Sequence, residues 1–136
     1  MRLSLDAQPS GLRAARGPRV LVVEDELFIR TMLSEELRET GFEVIEAFNG
    51  DEALAVLKTD VHIDLIISDV HMPGSVDGMG LLAVVKKAFP TLPVILTSGL
   101  LGPASAIAGG ACQFVPKPYS LDLMGNVVRE ELAKSA

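Results

Sequence analysis

The chain alternates short apolar runs with longer segments in which apolar residues recur every three or four positions. The first run, at residues 19–24 (RVLVVE), has no polar alternation, which is typical of a β-strand covered on both faces. After it, Ile29, Leu33 and Leu37 follow at four-residue spacing, which predicts an amphipathic helix that ends at Gly41. These two patterns predict one strand-helix unit of an α/β protein.

The same alternation continues to the end of the chain. Five strands that alternate with helices predict right-handed crossovers and an open, doubly wound parallel sheet, for which the strand order 2-1-3-4-5 is common. We predict the further strands at residues 43–47, 64–68, 93–97 and 113–115. We predict the further helices at residues 51–57 after an Asn49-Gly50 turn, around Leu81, Leu82 and Val85, between strands four and five, and through Leu121, Met124, Val127, Val128 and Leu132.

Length and charge limit the possible functions. The chain has 136 residues and a formal net charge of −6, so we expect one domain with a buried core. Nucleic-acid binding normally needs clustered Lys and Arg, and the acidic balance therefore argues against direct contact with nucleic acid. The single cysteine, Cys112, lies in an apolar context and favours a small buried thiol in a reducing, cytoplasmic setting.

Two segments could be mistaken for membrane elements. Residues 1–18 contain Pro9, Gly11 and scattered arginines instead of the apolar core of a secretory signal, and we interpret them as a flexible leader. Residues 88–116 carry no charge, but their prolines and glycines would interrupt a spanning helix several times. We therefore expect no membrane contact.

Acidic residues follow the first and third predicted strands. Glu24 and Asp25 come at the end of the first strand, and Asp69 comes at the end of the third. In the predicted order these strands are neighbours and the winding reverses between them, so their carboxyl ends open onto the crevice where ligands bind. Three carboxylates would oppose one another's ionisation there unless a cation lies among them. Oxygen ligands of this kind favour Mg²⁺.

The ends of the fourth and fifth predicted strands add two further groups. Thr97 and Ser98 offer hydroxyls, and Lys117 offers a positive charge. A carboxylate nucleophile, a metal ion, a hydroxyl and an ammonium group together stabilise a transferring phosphoryl group. Taken singly, Asp25 also fits a helix N-cap, and Asp69, Ser98 and Lys117 also fit ordinary turns. Their occurrence at consecutive strand ends on one sheet edge favours a phosphoryl-transfer site.

These residues resemble the receiver domains of bacterial two-component response regulators, in a single-domain form similar to chemotaxis regulators. Glu24-Asp25 resembles the acidic pair, residues 69–73 (DVHMP) the phosphoacceptor segment, and Lys117-Pro118 the lysine motif. The resemblance covers residues 19–134 and implies a flavodoxin-like (βα)5 fold. It further implies that Asp69 accepts a phosphoryl group from a histidine kinase or a phosphotransfer protein.

The resemblance also implies a metal site. Mg²⁺ is expected to be bound by the carboxylates of Asp25 and Asp69 and by the backbone carbonyl of His71, with Glu24 acting mostly through water. Mn²⁺ is an expected substitute. Beyond its own phosphorylation and dephosphorylation, no enzymatic activity is expected.

A switch is implied in the same way. Ser98, not Thr97, corresponds to the switch hydroxyl of the family, and Phe114 corresponds to its aromatic partner. Lys117 corresponds to the family's lysine, and a cis peptide bond is expected before Pro118. Phosphorylation is expected to change the surface formed by the fourth helix, the fifth strand and the fifth helix. A downstream protein target and a monomer or weak dimer are the expected partners.

Three departures from the family pattern lead to further expectations. Residues 99–116 form a short, uncharged interval, so the fourth helix is expected to be short or fluid, and phosphorylation is expected to order it. The loop at residues 72–78 is one residue longer than usual, which predicts that Asp77 is a loop or N-cap residue and not a ligand. The chain stops after the fifth helix, so no output domain is expected.

Other functions compete with the receiver interpretation. A phosphatase that uses an aspartyl phosphate usually needs an acid two positions after the nucleophile, where this chain has His71. A flavodoxin-like electron carrier needs a phosphate loop after the first strand, where this chain has three acidic residues. A pseudo-receiver that binds partners without phosphorylation, and a receiver excised from a larger regulator or hybrid kinase, remain alternatives.

Overall fold

Strands and helices alternate along the described chain, as the apolar pattern predicts. The computed structural model describes residues 17–100 and 102–135. Its strands are β1 (Arg19–Val23), β2 (Glu43–Ala47), β3 (Leu65–Asp69), β4 (Val94–Ser98) and β5 (Gln113–Pro116). Its helices are α1 (Leu27–Glu39), α2 (Gly50–Leu57), α3 (Gly78–Ala88), α4 (Pro103–Ala108) and α5 (Leu121–Ser135).

The strands form a single parallel sheet in the order β2-β1-β3-β4-β5. Every pairing between neighbours is parallel. This arrangement confirms the predicted doubly wound fold. It also places the carboxyl ends of all five strands at one edge of the sheet.

Two apolar cores cover the two faces of the sheet. Along β1, Val20 and Val22 point into one core, whereas Leu21 and Val23 point into the other. The first core receives Leu33 and Leu37 of α1 with Met124 and Val128 of α5, and the second receives side chains of α2, α3 and α4. Because both faces of each central strand are buried, the strands lack polar alternation.

Side-chain caps begin two of the helices. Asn49 Oδ1 accepts a hydrogen bond of 2.8 Å from the Glu52 amide, and the Glu52 carboxylate accepts one of 2.8 Å from the Phe48 amide. Helix α2 therefore begins at Gly50, and the predicted Asn49-Gly50 turn is its cap. Asp77 Oδ1 accepts from the Gly80 amide at 2.9 Å, which confirms Asp77 as an N-cap.

The third and fourth strands lie one residue later than predicted. Asp64 lies directly before β3, where its amide donates to the Arg19 carbonyl at 2.8 Å and its carboxylate accepts a 2.8 Å hydrogen bond from the Arg19 amide. Pro93 lies before β4, and its carbonyl accepts from the Ile66 amide at 3.0 Å. At the other ends of these strands, Asp69 is paired with Thr97 and Ser98 with Pro116, so both residues belong to the regular sheet.

Helix α4 is short, as the short interval at residues 99–116 predicts. Helix α4 has six residues, and Ala106 is its buried residue. Cys112, predicted to be buried, is half-buried directly before β5 and packs against the core that receives α1 and α5. Of the predicted leader, residues 1–16 lie outside the described residues, and the Pro18 carbonyl accepts from the Glu43 amide at 2.9 Å. Among the described residues, no helix combines the length and hydropathy that a membrane crossing requires.

Candidate functional site

Three carboxylates meet at the carboxyl edge of the sheet. Glu24 follows β1 and Asp69 ends β3, and these strands are paired, with Val23 opposite Ser68. Oxygen atoms of Glu24, Asp25 and Asp69 all lie within 4.8 Å of one another. Glu24 and Asp69 are buried, whereas Asp25 is exposed. The predicted convergence of the three residues is therefore present.

Lys117 reaches this cluster from the end of β5. Its ammonium Nζ donates hydrogen bonds to Glu24 Oε1 at 2.9 Å and to Asp69 Oδ2 at 3.0 Å. Its backbone amide donates to the Ser98 carbonyl at 3.0 Å, which fixes the start of the loop beside β4. The peptide bond between Lys117 and Pro118 is cis, as expected. A single ammonium group thus bridges two buried carboxylates.

The cluster perturbs the titration of its members. Burial raises the pKa of Glu24 above its ordinary value, and the charge of Asp69 adds to this effect, while the hydrogen bond from Lys117 only partly offsets it. Burial alone would lower the pKa of Lys117, but the hydrogen bonds to Glu24 and Asp69 together raise it. Burial and the charge of Glu24 also raise the pKa of neighbouring Tyr119 to about 12. Negative charge therefore exceeds positive charge inside the cluster.

The predicted switch residues lie on β4 and β5, the two strands that follow the strand of Asp69 in the sheet order. Ser98 is buried at the end of β4, and its Oγ accepts a 3.0 Å hydrogen bond from the Leu100 amide. Thr97, paired with Asp69 across the sheet, is also buried, as expected. Phe114 on β5 is half-buried and packs against the core that receives α2, α3 and α4. Ser98 and Phe114 therefore lie on two neighbouring, paired strands, β4 and β5.

The oxygen-rich donor set fits Mg²⁺. This ion prefers carboxylate and carbonyl oxygens and keeps several of its waters. Glu24 and Asp69 supply buried oxygens, and the exposed Asp25 leaves one side of the cluster accessible to water. The fourth predicted ligand, the carbonyl of His71, belongs to the loop that leaves β3 directly after Asp69.

The model of the response regulator receiver domain family matches residues 20–129. The chain belongs to this family. The match includes β1 from Val20 onward, β2 to β5, and the whole cluster of Glu24, Asp25, Asp69 and Lys117. The observed strand order is that of the flavodoxin-like receiver fold.

Known receiver domains are similar in both sequence and structure. A response regulator of Rickettsia felis described as NtrX-like is 36% identical over 107 residues, which cover 76% of this chain and 22% of that protein. The receiver domain of Francisella response regulator 1452 superposes with a TM-score of 0.80 and 31% identity, covering 88% of this chain and 100% of that one. The receiver domain of a Syntrophus aciditrophicus signal transduction histidine kinase gives 0.79 and 33%, covering 87% and 92%. The chain thus spans about a fifth of the length of the NtrX-like relatives that it matches.

Sequence reasoning missed Arg30 as a neighbour of this receiver site. Its guanidinium donates to the Glu24 backbone carbonyl at 2.9 Å and pairs with the Glu46 carboxylate at 3.2 Å. It therefore ties the turn that carries the acidic pair to β2. Its place in α1 is compatible with a solvent-facing arginine, so only the fold identifies this contact.

Proposed function

We propose that Asp69 accepts a phosphoryl group from the phosphohistidine of a histidine kinase or a phosphotransfer protein. The observation that carries this proposal is the ammonium group of Lys117, held 3.0 Å from Asp69 Oδ2 inside the three-carboxylate cluster. Positive charge at this place stabilises the negative charge on the oxygens of a transferring phosphoryl group. Family membership supports the same reaction.

The proposed transfer forms one bond and breaks another. A carboxylate oxygen of Asp69 attacks phosphorus, and the bond between phosphorus and the donor imidazole nitrogen breaks. The imidazole keeps the electron pair of that bond. Lys117 and the hydroxyl of Ser98 donate hydrogen bonds to the phosphoryl oxygens. Before the transfer, Lys117, itself held by Glu24, keeps the Asp69 carboxylate oriented.

Four groups would hold the metal ion that assists this reaction. These groups are the carboxylates of Glu24, Asp25 and Asp69 and the backbone carbonyl of His71. Bound Mg²⁺, or Mn²⁺ in its place, supplies positive charge beside the phosphoryl oxygens. Without such a cation the crowded carboxylates repel an incoming anion, so we expect phosphorylation to require a divalent ion.

The response to phosphorylation is proposed to pass through β4 and β5. A phosphoryl group on Asp69 would draw the Ser98 hydroxyl away from the Leu100 amide, to which it is now bonded. That movement would release space for the Phe114 ring and change the surface of α4, β5 and α5. Contact with a protein target through this surface would transmit the signal.

An apolar groove beside the site supports a protein as the phosphodonor. The groove has a volume of about 500 Å³ and continues directly from the cluster, because Lys117 belongs to both. Phe28 is 74% exposed there and Met32 is 41% exposed. A donor that brings its phosphohistidine to Asp69 would cover these side chains, which favours an apolar surface around the donor histidine. The other lining residues are Ile29, Pro118, Tyr119 and Leu121.

Intact mass after incubation with Mg²⁺ and acetyl phosphate tests the proposed reaction. We expect a gain of about 80 Da, one phosphoryl group, that requires Mg²⁺ and is absent in Asp69→Ala. Asp77→Asn is the matched control, because it removes a nearby carboxylate while asparagine keeps the N-cap. No gain in the wild type, from acetyl phosphate or from a phosphorylated histidine phosphotransfer domain, would contradict the proposal and favour a pseudo-receiver.

A second comparison separates protein donors from small ones. Phe28→Ala should slow transfer from a phosphorylated histidine phosphotransfer domain about tenfold, equivalent to roughly 1.4 kcal/mol of lost contact, and leave uptake from acetyl phosphate within about twofold. Phe89→Ala is the control, since Phe89 is 40% exposed and lines a different groove. Equal transfer rates in all three proteins would contradict docking at this groove.

A further inference from the structure

The loop between β3 and α3 starts directly after Asp69, and its far end packs against the Asp69 backbone. The Val70 amide donates to the Thr97 carbonyl at 2.9 Å, and the Gly78 amide donates to the Val70 carbonyl at 2.8 Å. A Cβ atom added at Gly78 would lie 2.2 Å from the Asp69 carbonyl oxygen, so the loop closes tightly against the acceptor backbone. Both ends of this loop, residues 70–77, are therefore fixed.

The tip of the loop rests on the first turn of α2. The carboxylate of Asp51 accepts a 3.0 Å hydrogen bond from the Ser75 amide and another from the Ser75 hydroxyl. Gly74 has a φ of 104°, a conformation that favours glycine, and a Cβ atom there would lie 2.6 Å from Asp51 Oδ2. The Val76 backbone packs equally closely against the start of α2, because a Cβ atom at Gly50 would lie 2.3 Å from the Val76 carbonyl oxygen.

These contacts stabilise the ionised form of Asp51. Hydrogen bonds from the Ser75 hydroxyl and amide lower the pKa of its carboxyl, although the side chain is exposed. The same oxygens therefore remain available as acceptors throughout the neutral pH range. Residues 71–74, which include His71, lie between the fixed start of the loop at Val70 and its fixed tip at Ser75.

We propose that Asp51 is a positioning residue for the metal site: by holding Ser75, it fixes the loop that presents the His71 carbonyl. This inference rests on the proposed function, in which that carbonyl is a Mg²⁺ ligand. An eight-residue loop without a tether at its tip would sample many paths between Asp69 and Gly78. The tether removes this freedom before the ion binds, so the ordering cost does not reduce the affinity for Mg²⁺.

Three variants separate the tether from the charge of Asp51. Asp51→Ala removes both, Asp51→Asn removes the charge but keeps an oxygen that accepts from the Ser75 amide, and Asp60→Ala removes an exposed carboxylate beyond the other end of α2. The Mg²⁺ dissociation constant is measured by calorimetry, and amide exchange is measured for residues 70–77. Phosphorylation by acetyl phosphate is then followed as a function of Mg²⁺ concentration.

We expect Asp51→Ala to raise the Mg²⁺ dissociation constant about fivefold, the scale of one or two hydrogen bonds, and to speed exchange in residues 70–77. The rate at saturating Mg²⁺ should stay within about twofold of the wild type, which general damage to the fold would not allow. Asp51→Asn should restore most of the affinity, and Asp60→Ala should match the wild type. Ser75→Ala, which removes only the hydroxyl, should fall between the wild type and Asp51→Ala.

Two results would overturn the inference alone. Wild-type affinity in Asp51→Ala would show that the tether does not support the metal site, and equal losses in Asp51→Ala and Asp51→Asn would assign the effect to charge. In both cases the wild type still binds Mg²⁺ and takes up the phosphoryl group. If the wild type does neither, the proposed function fails and the inference fails with it.

Discussion

The two ion pairs of Lys117 make it possible to measure how much the buried carboxylates reduce the free energy of unfolding when they lack this cation. Lys117→Met keeps an unbranched apolar side chain of similar length and removes only the ammonium group. The variant loses hydrogen bonds of 2.9 and 3.0 Å to Glu24 and Asp69, whose side chains are 4% and 9% exposed. The two carboxylates then remain buried without this cation.

The expected loss of stability follows from that burial. Removing one partner of a buried ion pair costs about 3–5 kcal/mol. Because the Lys117 side chain is 19% exposed and part of its charge is screened, we expect the lower end, about 3 kcal/mol at pH 7 without divalent ions. Urea unfolding followed by circular dichroism measures this difference. Lys87→Met, at an exposed position of α3, is the matched control and should change stability by less than about 0.5 kcal/mol.

Acid and Mg²⁺ should both reduce the loss of stability caused by Lys117→Met. Glu24 already has a raised pKa in the folded state, so the native protein binds more protons than the unfolded chain, and its stability decreases as pH rises through that pKa. Loss of Lys117 raises this pKa further, so the difference between variant and wild type should shrink from pH 7 towards pH 5. Mg²⁺ at a hundred times the wild-type dissociation constant stabilises the wild type by about 2.7 kcal/mol. At the same Mg²⁺ concentration the variant should gain more, because no ammonium group competes for the carboxylates and its dissociation constant is therefore lower.

The reasoning would be refuted by a variant as stable as the wild type at pH 7 without Mg²⁺. Equal stabilisation of both proteins by Mg²⁺ would separately refute the competition between ammonium group and metal ion. A loss of equal size in Lys87→Met would assign the effect to the substitution itself and not to the cluster.

Further predictions concern the surroundings of the site. Gly78→Ala should cost about 1–3 kcal/mol in urea unfolding, because its Cβ would lie 2.2 Å from the Asp69 carbonyl oxygen. Leu82→Ala should cost about 2–5 kcal/mol by the same measurement, since Leu82 is buried in the core beneath α3. Alkylation of Cys112 at pH 8 should be slow, because burial and the charge of Glu131 raise its pKa from 9.0 to about 12, which lowers the thiolate fraction about a thousandfold. Glu131→Gln should speed this alkylation.

Controls for these predictions lie within the chain. Gly102→Ala places its Cβ in open space and should be nearly neutral, and Leu123→Ala removes a side chain that is 48% exposed and should cost little. Unfolding in urea should restore an ordinary rate of Cys112 alkylation. A neutral Gly78→Ala, a neutral Leu82→Ala, or alkylation equally fast in the folded and unfolded states would each contradict the corresponding expectation.

The amino-acid sequence determined the fold class, the strand order and the composition of the candidate site. Buried strands such as β1 and β3 are local apolar runs, and helices such as α1 have a local periodicity, so both can be identified without tertiary contacts. The acidic pair and Lys117 follow directly after such strands, and Asp69 and Ser98 end two others. In a parallel sheet these positions share one edge, so their convergence could also be predicted.

Only the tertiary structure decided which partner each side chain has. Lys117 pairs with Glu24 and Asp69, which precede it by 93 and 48 residues, and no local pattern encodes that choice. Asp51 is in the same position, because its contact with Ser75 joins the start of α2 to a loop beyond β3. The start of β3 was predicted one residue too early for a related reason: the carboxylate of Asp64 accepts the hydrogen bond of the Arg19 amide, which belongs to another strand. Apolar positions repeat along the chain, so the strands and helices that they form can be predicted from the sequence. A hydrogen bond between distant polar groups depends on three-dimensional proximity, which only the folded chain provides.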